Sequence, residues 1–438
     1  TALLAALLLA FDPFFVALSR LLLTDGLHAS FALLSILCLV AALESDRWFW
    51  YLLSGASTGL AALSKSPAFF ALGPLAIILS LSVSRLFSGK QQSWKATLSR
   101  LASWCVALVL CVFAFWPSMW VQPLLSLQFI FDNLTEVAVS GKWESSVGPL
   151  FYPMVLLFRS SPLTILGAIG TLGLLASWLI RLPRKIDDHR GLWILSLWGM
   201  ALTYVLMFSL GLWKNDFYML PACLALNVLG GIGLAAILNA VTRSRVLAEK
   251  GETLAKVGVG VLMVAQMILC LFHYPYYLSY YNPLLGGGKV AGQVIPGAVG
   301  HGEGLERAVD YLNLLEDAAQ LRVGIAGLWD CMELNGFKGQ VVQIPGRFRP
   351  ERLELPYKHL DYIVRYVFFS RRSGSYPFNK LIDVNSPDFV FEDKGIRYVS
   401  VHQVQKTLPH LRAGVTPKKV EYENGLTLRG YQVDPVIQ

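Results

Sequence analysis

Apolar runs separated by short polar connections fill the chain as far as Tyr274. They cover Thr1–Phe11, Leu27–Leu43, Trp48–Leu63, Ala68–Val83, Leu101–Phe115, Ser161–Ile180, Leu192–Leu212, Phe217–Leu238 and Val257–Phe272. A helix needs about 20 apolar residues to cross a hydrocarbon core, so the pattern predicts a polytopic α-helical membrane domain whose first run is only partial. After Phe272 the pattern changes. Glu303–Leu315 carries Leu305, Ala308, Val309, Leu312 and Leu315 at helical spacing. Leu321–Ala326, Val341–Ile344, Leu360–Val367, Phe389–Phe391, Ile396–His402 and Leu426–Tyr431 read as short strands, each bounded by Gly, Pro, Asp or Lys. The expected organisation is a multi-spanning domain over residues 1–274 and a soluble α/β or α+β domain over residues 275–438. Gly286-Gly287-Gly288 before Lys289 lacks the strand–loop–helix setting of a phosphate-binding loop.

Composition agrees with this division. The 438 residues are 55% hydrophobic and 15% charged, whereas soluble domains carry about a quarter charged residues. The net charge of +8 does not point to nucleic acid, because the basic residues cluster between apolar runs as the positive-inside rule requires. Arg85, Lys90, Lys95 and Arg100 form one cluster; Arg181, Arg184, Lys185 and Arg190 a second; Arg243, Arg245, Lys250 and Lys256 a third. With Glu44–Arg47 they define a cytoplasmic side. The opposite, extracytoplasmic side receives Asp12–Asp25, Ser64–Pro67, Trp116–Ser160, Trp213–Asp216 and everything after His273. Five of the six cysteines lie in apolar runs and Cys331 in the polar part, so neither a disulfide framework nor a CxxC metal pair is expected. The run at Thr1 lacks the basic flank of a signal peptide, and further helices are expected upstream of it.

The extracytoplasmic side holds few charges but unusual ones: Asp12, Arg20, Asp25, Lys65, Lys214 and Asp216. Ionisable groups held against a bilayer are costly and mark function by default. Arginine and lysine suit the oxygens of a phosphate, and a carboxylate serves as base or orienting group. Solvated loop charge is the plain alternative for each. Trp116, Trp120, Trp143, Phe151, Tyr152 and Trp213 crowd the same boundary, mostly as interfacial anchors. Leu125–Phe131 suits a segment lying on the membrane face, Asn133-Leu134-Thr135 is a short glycosylation sequon, and Tyr274–Tyr281 reads as a further anchor.

Ser19-Arg20 with Thr24-Asp25, Gly59–Pro67 with Ser64-Lys65-Ser66-Pro67, and Phe115-Trp116-Pro117-Ser118-Met119-Trp120 resemble the multi-spanning glycosyltransferases of the C-type fold. The nearest likeness is to the protein O-mannosyltransferase-like family 39 and the related lipid A aminoarabinose transferases. Asp216-Phe217-Tyr218-Met219-Leu220-Pro221 is similar to that family's late-span motif, and His273–Pro283 with Gly302–Glu306 to the junction in its bacterial members. The resemblance implies transfer of a sugar, mannose foremost, from a polyprenyl-phosphate carrier to a protein, lipid or glycan acceptor by a single inverting displacement. It implies Arg20 and Lys65 as phosphate ligands and Asp25 as an orienting carboxylate, with Asp12, Trp116, Trp120, Asp216 and Tyr218 as candidates around the substrate. The family's acidic first loop would lie upstream of Thr1. Phe217 stands where the late-span motif has arginine, so one phosphate or sugar contact is either missing or supplied by Lys214 as a phosphate ligand.

No cofactor is expected. No His, Asp or Glu cluster has ligand spacing, and the need for a divalent metal stays open. Two other readings remain: a transporter or flippase for a lipid-linked or polar substrate, and a non-catalytic relative of the fold. Transporters place ionisable groups at the bilayer midplane in duplicated halves. Here the charges gather at one face and no repeat is visible, which favours the enzyme.

Overall fold

The computed structural model of the protein describes residues 1–86, 94–139, 147–181, 190–211, 214–242, 251–326, 328–344, 360–367, 382–383, 385–404, 416–421 and 427–431. Lys90, Trp143, Arg184, Lys185, Trp213, Arg243, Arg245 and Lys250, named above as belt or charge-cluster residues, lie outside them. The chain divides into two compact units, Thr1–His301 with Asp393–Ile396, and Gly302–Glu392 with Arg397–Gln438. The expected boundary at Tyr274 falls inside the first.

The first unit is helical. Its early helices are α1 (Ala2–Ala10), α2 (Pro13–Arg20), α3 (Asp25–Ser45), α4 (Trp48–Ser64), α5 (Pro67–Leu86) and α6 (Trp94–Phe115). The long connection folds as α7 (Ser118–Val121), α8 (Pro123–Val139) and α9 (Phe151–Arg159). Then come α10 (Pro162–Arg181), α11 (Arg190–Leu210), α12 (Leu220–Thr242), α13 (Gly251–Leu271) and the short α14 (Gly287–Val294). Among the described residues five helical segments are long and apolar enough to cross a membrane: Asp25–Ser45, Trp94–Phe115, Pro162–Ile180, Arg190–Leu210 and Asp216–Thr242. The pair α1 and α2, bent by 54°, makes a sixth if counted as one broken span.

Packing supports the membrane assignment. On α13, Val257, Val261, Val264, Ile268 and Leu271 form an exposed apolar stripe at helical spacing, and Val106, Val109, Leu110 and Phe113 do the same on α6. Such faces find their solvent in lipid. Helix α12 is instead buried along most of its length and packs against α1, α3, α10, α11 and α13. Its contact with α10 is close because a Cβ on Gly167 or on Gly233 would overlap the other helix's backbone.

Residues 12–25, expected to be a connection, contain a helix. Asp12 caps α2 by accepting the Phe15 N–H at 2.7 Å, and Pro13 occupies the first helical position, where its fixed φ and missing N–H cost nothing. Leu125–Phe131 lies inside α8, whose Leu124, Leu125, Leu127, Phe129 and Phe131 are exposed.

The second unit contains α15 (Leu305–Asn313), which buries Leu305, Ala308, Val309 and Leu312 as its spacing predicts. A five-stranded sheet follows, formed by β1 (Arg322–Ala326), β2 (Gln340–Ile344), β3 (Tyr362–Tyr366), β4 (Phe389–Asp393) and β5 (Ile396–Gln403) in the order β2-β1-β3-β5-β4. Strand β1 runs parallel to β2 and β3, and β3 runs antiparallel to β5. A short helix, α16 (Trp329–Leu334), lies between β1 and β2 in sequence, as a parallel crossover requires. Strands β6 (Thr416–Glu421) and β7 (Thr427–Tyr431) form a separate antiparallel pair. The domain is therefore a mixed α/β fold.

Candidate functional site

Helix dipoles explain where the first unit carries its isolated charges. An acid is stabilised in a helix's first turn and a cation in its last. Arg20 lies in the last turn of α2 and Asp25 in the first of α3. Lys65 is the residue at which α4 ends, Arg159 stands in the last turn of α9, and Asp216 opens the 3-10 turn (Asp216–Met219) that leads into α12. Contacts gather four of these ends, those of Asp25, Lys65, Arg159 and Asp216, into one site.

Lys65 Nζ donates to Asp25 Oδ1 at 2.5 Å, with side-chain exposures of 22% and 2%. The ammonium lies 4.5 Å from the Phe217 ring centroid and 5.2 Å from that of Tyr218. Two aromatic faces and a carboxylate thus hold a cation that still reaches solvent. Withdrawal from water lowers the Lys65 pKa, and the Asp25 carboxylate works against that shift. Asp25 Oδ2 is buried and has no hydrogen-bond partner among the described residues.

Behind this pair lies a second one, fully buried. Arg159 donates to Asp216 Oδ2 from Nε at 3.0 Å and from Nη2 at 2.5 Å, and both side chains are 0% exposed. Its Nη1 also donates to the carbonyls of Leu278 and Tyr280 at 2.7 and 2.8 Å, and Nη2 to the Ala298 carbonyl and the Tyr281 hydroxyl at 3.0 and 3.1 Å. The guanidinium stacks over Phe14 and Tyr281 at 4.8 and 4.1 Å. The other Asp216 oxygen, Oδ1, lies 3.0 Å from His301 Nε2. His301 in turn meets the edge of Phe217 at 6.1 Å between ring centroids, so Phe217 joins the two pairs.

The structure therefore brings together Asp25, Lys65, Asp216 and Tyr218, and sets the other expected site residues in different surroundings. Asp12 is buried, with Oδ2 accepting from Asn227 Nδ2 at 2.8 Å. Lys214 Nζ donates to the carbonyls of Phe208 and Ser209 at 2.9 and 3.0 Å, closing the end of α11. Arg20 is exposed, its guanidinium 5.2 Å from the Tyr277 ring. Trp116 is half-buried, and the exposed Trp120 donates its indole N–H to the Phe113 carbonyl at 2.5 Å. Among the described residues no three His, Cys, Asp or Glu side chains are placed to hold a metal.

Residues 1–120 match the dolichyl-phosphate-mannose-protein mannosyltransferase family. The resemblance carried by the Ser-Arg, Thr-Asp, Ser-Lys-Ser-Pro and Trp-Pro motifs is borne out over that segment, which contains Arg20, Asp25 and Lys65. The match supports a glycosyltransferase of the mannosyltransferase kind in a membrane. No curated protein matches the chain.

Arg159, His301 and the ring of Phe217 belong to the site, yet their motifs did not assign them to it. Arg159 carried one usable signal, a lone charge directly before an apolar run. His301 carried another, its place between Gly300 and Gly302, both at positive φ. Nothing in the local sequence pairs Arg159 with Asp216, 57 residues away.

Proposed function

We propose that the protein transfers a sugar, with mannose the favoured one, from a polyprenyl-phosphate carrier to an acceptor on the extracytoplasmic side of the membrane. The observation that carries this reading is the Asp25–Lys65 pair, partly open to solvent and bracketed by Phe217 and Tyr218, in the segment that matches a mannosyltransferase family. Supporting the orientation, the site gathers helix ends that lie opposite the basic connections of the sequence.

In this reading the acceptor oxygen attacks the anomeric carbon while the bond to the carrier phosphate breaks, inverting the configuration. The phosphate leaves with the bonding pair, and negative charge grows on its oxygens. The Lys65 ammonium, already stripped of part of its water, neutralises that charge. Arg20, exposed at the end of α2, adds a longer-range contact. Asp25 fixes the ammonium through Oδ1 and so orients it. The Arg159–Asp216 pair holds Phe217 and His301 in register behind it. The acceptor proton passes to a carboxylate base, the role that the family resemblance gives to its acidic first loop.

The test is sugar transfer from radiolabelled polyprenyl-phosphate-mannose in membranes carrying the full-length protein, with and without a peptide acceptor. Lys65-dependent transfer is expected. Neither transfer nor hydrolysis with several lipid-linked sugars, from folded protein, would overturn the reading.

A further inference from the structure

His28 stands one turn after Asp25 on α3 and is buried. Its Nδ1 lies 3.0 Å from the Ala61 carbonyl oxygen and its Nε2 3.0 Å from the Tyr204 hydroxyl. A carbonyl can only accept, so in the neutral ring Nδ1 carries the hydrogen and Nε2 receives the Tyr204 O–H. Both ring nitrogens are then satisfied, and the rings meet edge to face at 5.7 Å.

Two chains of contact lead from this bond to the same residue. The Ala61 carbonyl that His28 holds also accepts the backbone N–H of Lys65 at 2.9 Å, the last helical bond of α4. On the other side, Tyr204 packs on Phe208 at 6.4 Å, and Phe208 lies flat on Tyr218 at 4.5 Å with an interplanar angle of 1°. The Tyr218 ring is one of the two beneath the Lys65 ammonium. One path thus fixes the Lys65 backbone and the other its charged end, and Asp25 is anchored on the same helix turn as His28.

We infer that His28 and Tyr204 are positioning residues that aim the Lys65 ammonium at the donor phosphate and keep Asp25 set to orient it. This rests on the reading of Lys65 as a phosphate ligand, and the test separates the two. In full-length protein, with polyprenyl-phosphate-mannose as the probe, Tyr204→Phe removes one hydroxyl and keeps the ring stack. It is expected to raise the donor KM about three- to tenfold with kcat within about twofold. His28→Ala is expected to raise KM further. His28→Asn, which restores a donor toward the Ala61 carbonyl, is expected to recover part of the loss. Should His28→Ala fail to fold, the Tyr204→Phe and His28→Asn pair decides. Lower thermal stability with an unchanged donor KM in Tyr204→Phe would overturn the inference by leaving these residues a purely structural role. If Lys65→Ala also left the donor KM unchanged, the phosphate-ligand reading would fail first and the inference with it.

Discussion

Two acid–base pairs lie within one group of helix ends, and they differ in how completely they are satisfied. In the Arg159–Asp216 pair the guanidinium donates to a carboxylate, three carbonyls and a hydroxyl, and both carboxylate oxygens have partners. In the Lys65–Asp25 pair one carboxylate oxygen is left over among the described residues, and the lysine reaches solvent. A buried ion pair offsets its desolvation only when hydrogen bonds use its remaining valences. The first pair meets that condition and ties helices to the segment after α13. The second leaves bonding capacity for something else, which the proposed function assigns to the donor. Charge at a membrane boundary is thus of two kinds, and saturation separates them better than burial does.

The largest expected effect lies on the saturated side. Arg159→Ala leaves a buried carboxylate and three carbonyls without their donor, so it is expected to cost about 3–5 kcal/mol of stability or abolish folding. Thermal unfolding in detergent measures this. Arg159→Lys is expected to rescue little, because an ammonium cannot reproduce the fork of donors.

Asp25→Asn comes next. The amide keeps an oxygen toward Lys65 but loses the charge that orients it, so turnover is expected to fall at least about tenfold while donor affinity changes less. Wild-type turnover would remove Asp25 from the site.

A pH titration sharpens the comparison further. Desolvation holds the Lys65 pKa below the ordinary lysine value. Donor affinity should therefore fall as pH rises, before the ordinary lysine range is reached. Across that window the unfolded chain binds the extra proton, so this group's contribution to stability rises with pH. Loss of donor binding there, followed by a binding assay beside a melting curve, cannot then be attributed to unfolding through Lys65.

The smallest effect is expected at Arg20. Arg20→Ala removes an exposed cation and should weaken donor binding only a few-fold, an amount that shrinks as salt is raised. A salt-independent loss would place Arg20 in direct contact with the phosphate.

Much of this organisation was legible in the chain. Each apolar run became a helix, and the spacing of Leu305, Ala308, Val309 and Leu312 marked the buried face of α15. Topology led to the expectation that Arg20, Asp25 and Lys65 share one face, and the structure brings Asp25 and Lys65 into contact. Helix α2 has a start signal in Asp12-Pro13, but its eight residues are short and end in charge, which reads as a connection. Strand β6 begins Thr416-Pro417-Lys418-Lys419, which lacks alternating apolar positions. The Arg159 hub was not readable because its partners Leu278 and Tyr280 are 119 and 121 residues away, and such pairing is a property of the packed fold. The carbonyls that receive Lys214 lie at the end of the preceding helix, so the cap could have been anticipated from its position.

The measurement that tests the account most directly is the affinity of the full-length Lys65→Ala protein for polyprenyl-phosphate-mannose, with its melting temperature taken on the same sample. The account predicts a loss of at least about tenfold, or 1.4 kcal/mol, in a variant that stays folded but melts lower, because the buried Asp25 carboxylate loses its cation. Wild-type affinity in a folded variant would contradict it, and would make the Lys65–Asp25 pair a second strut beside Arg159–Asp216.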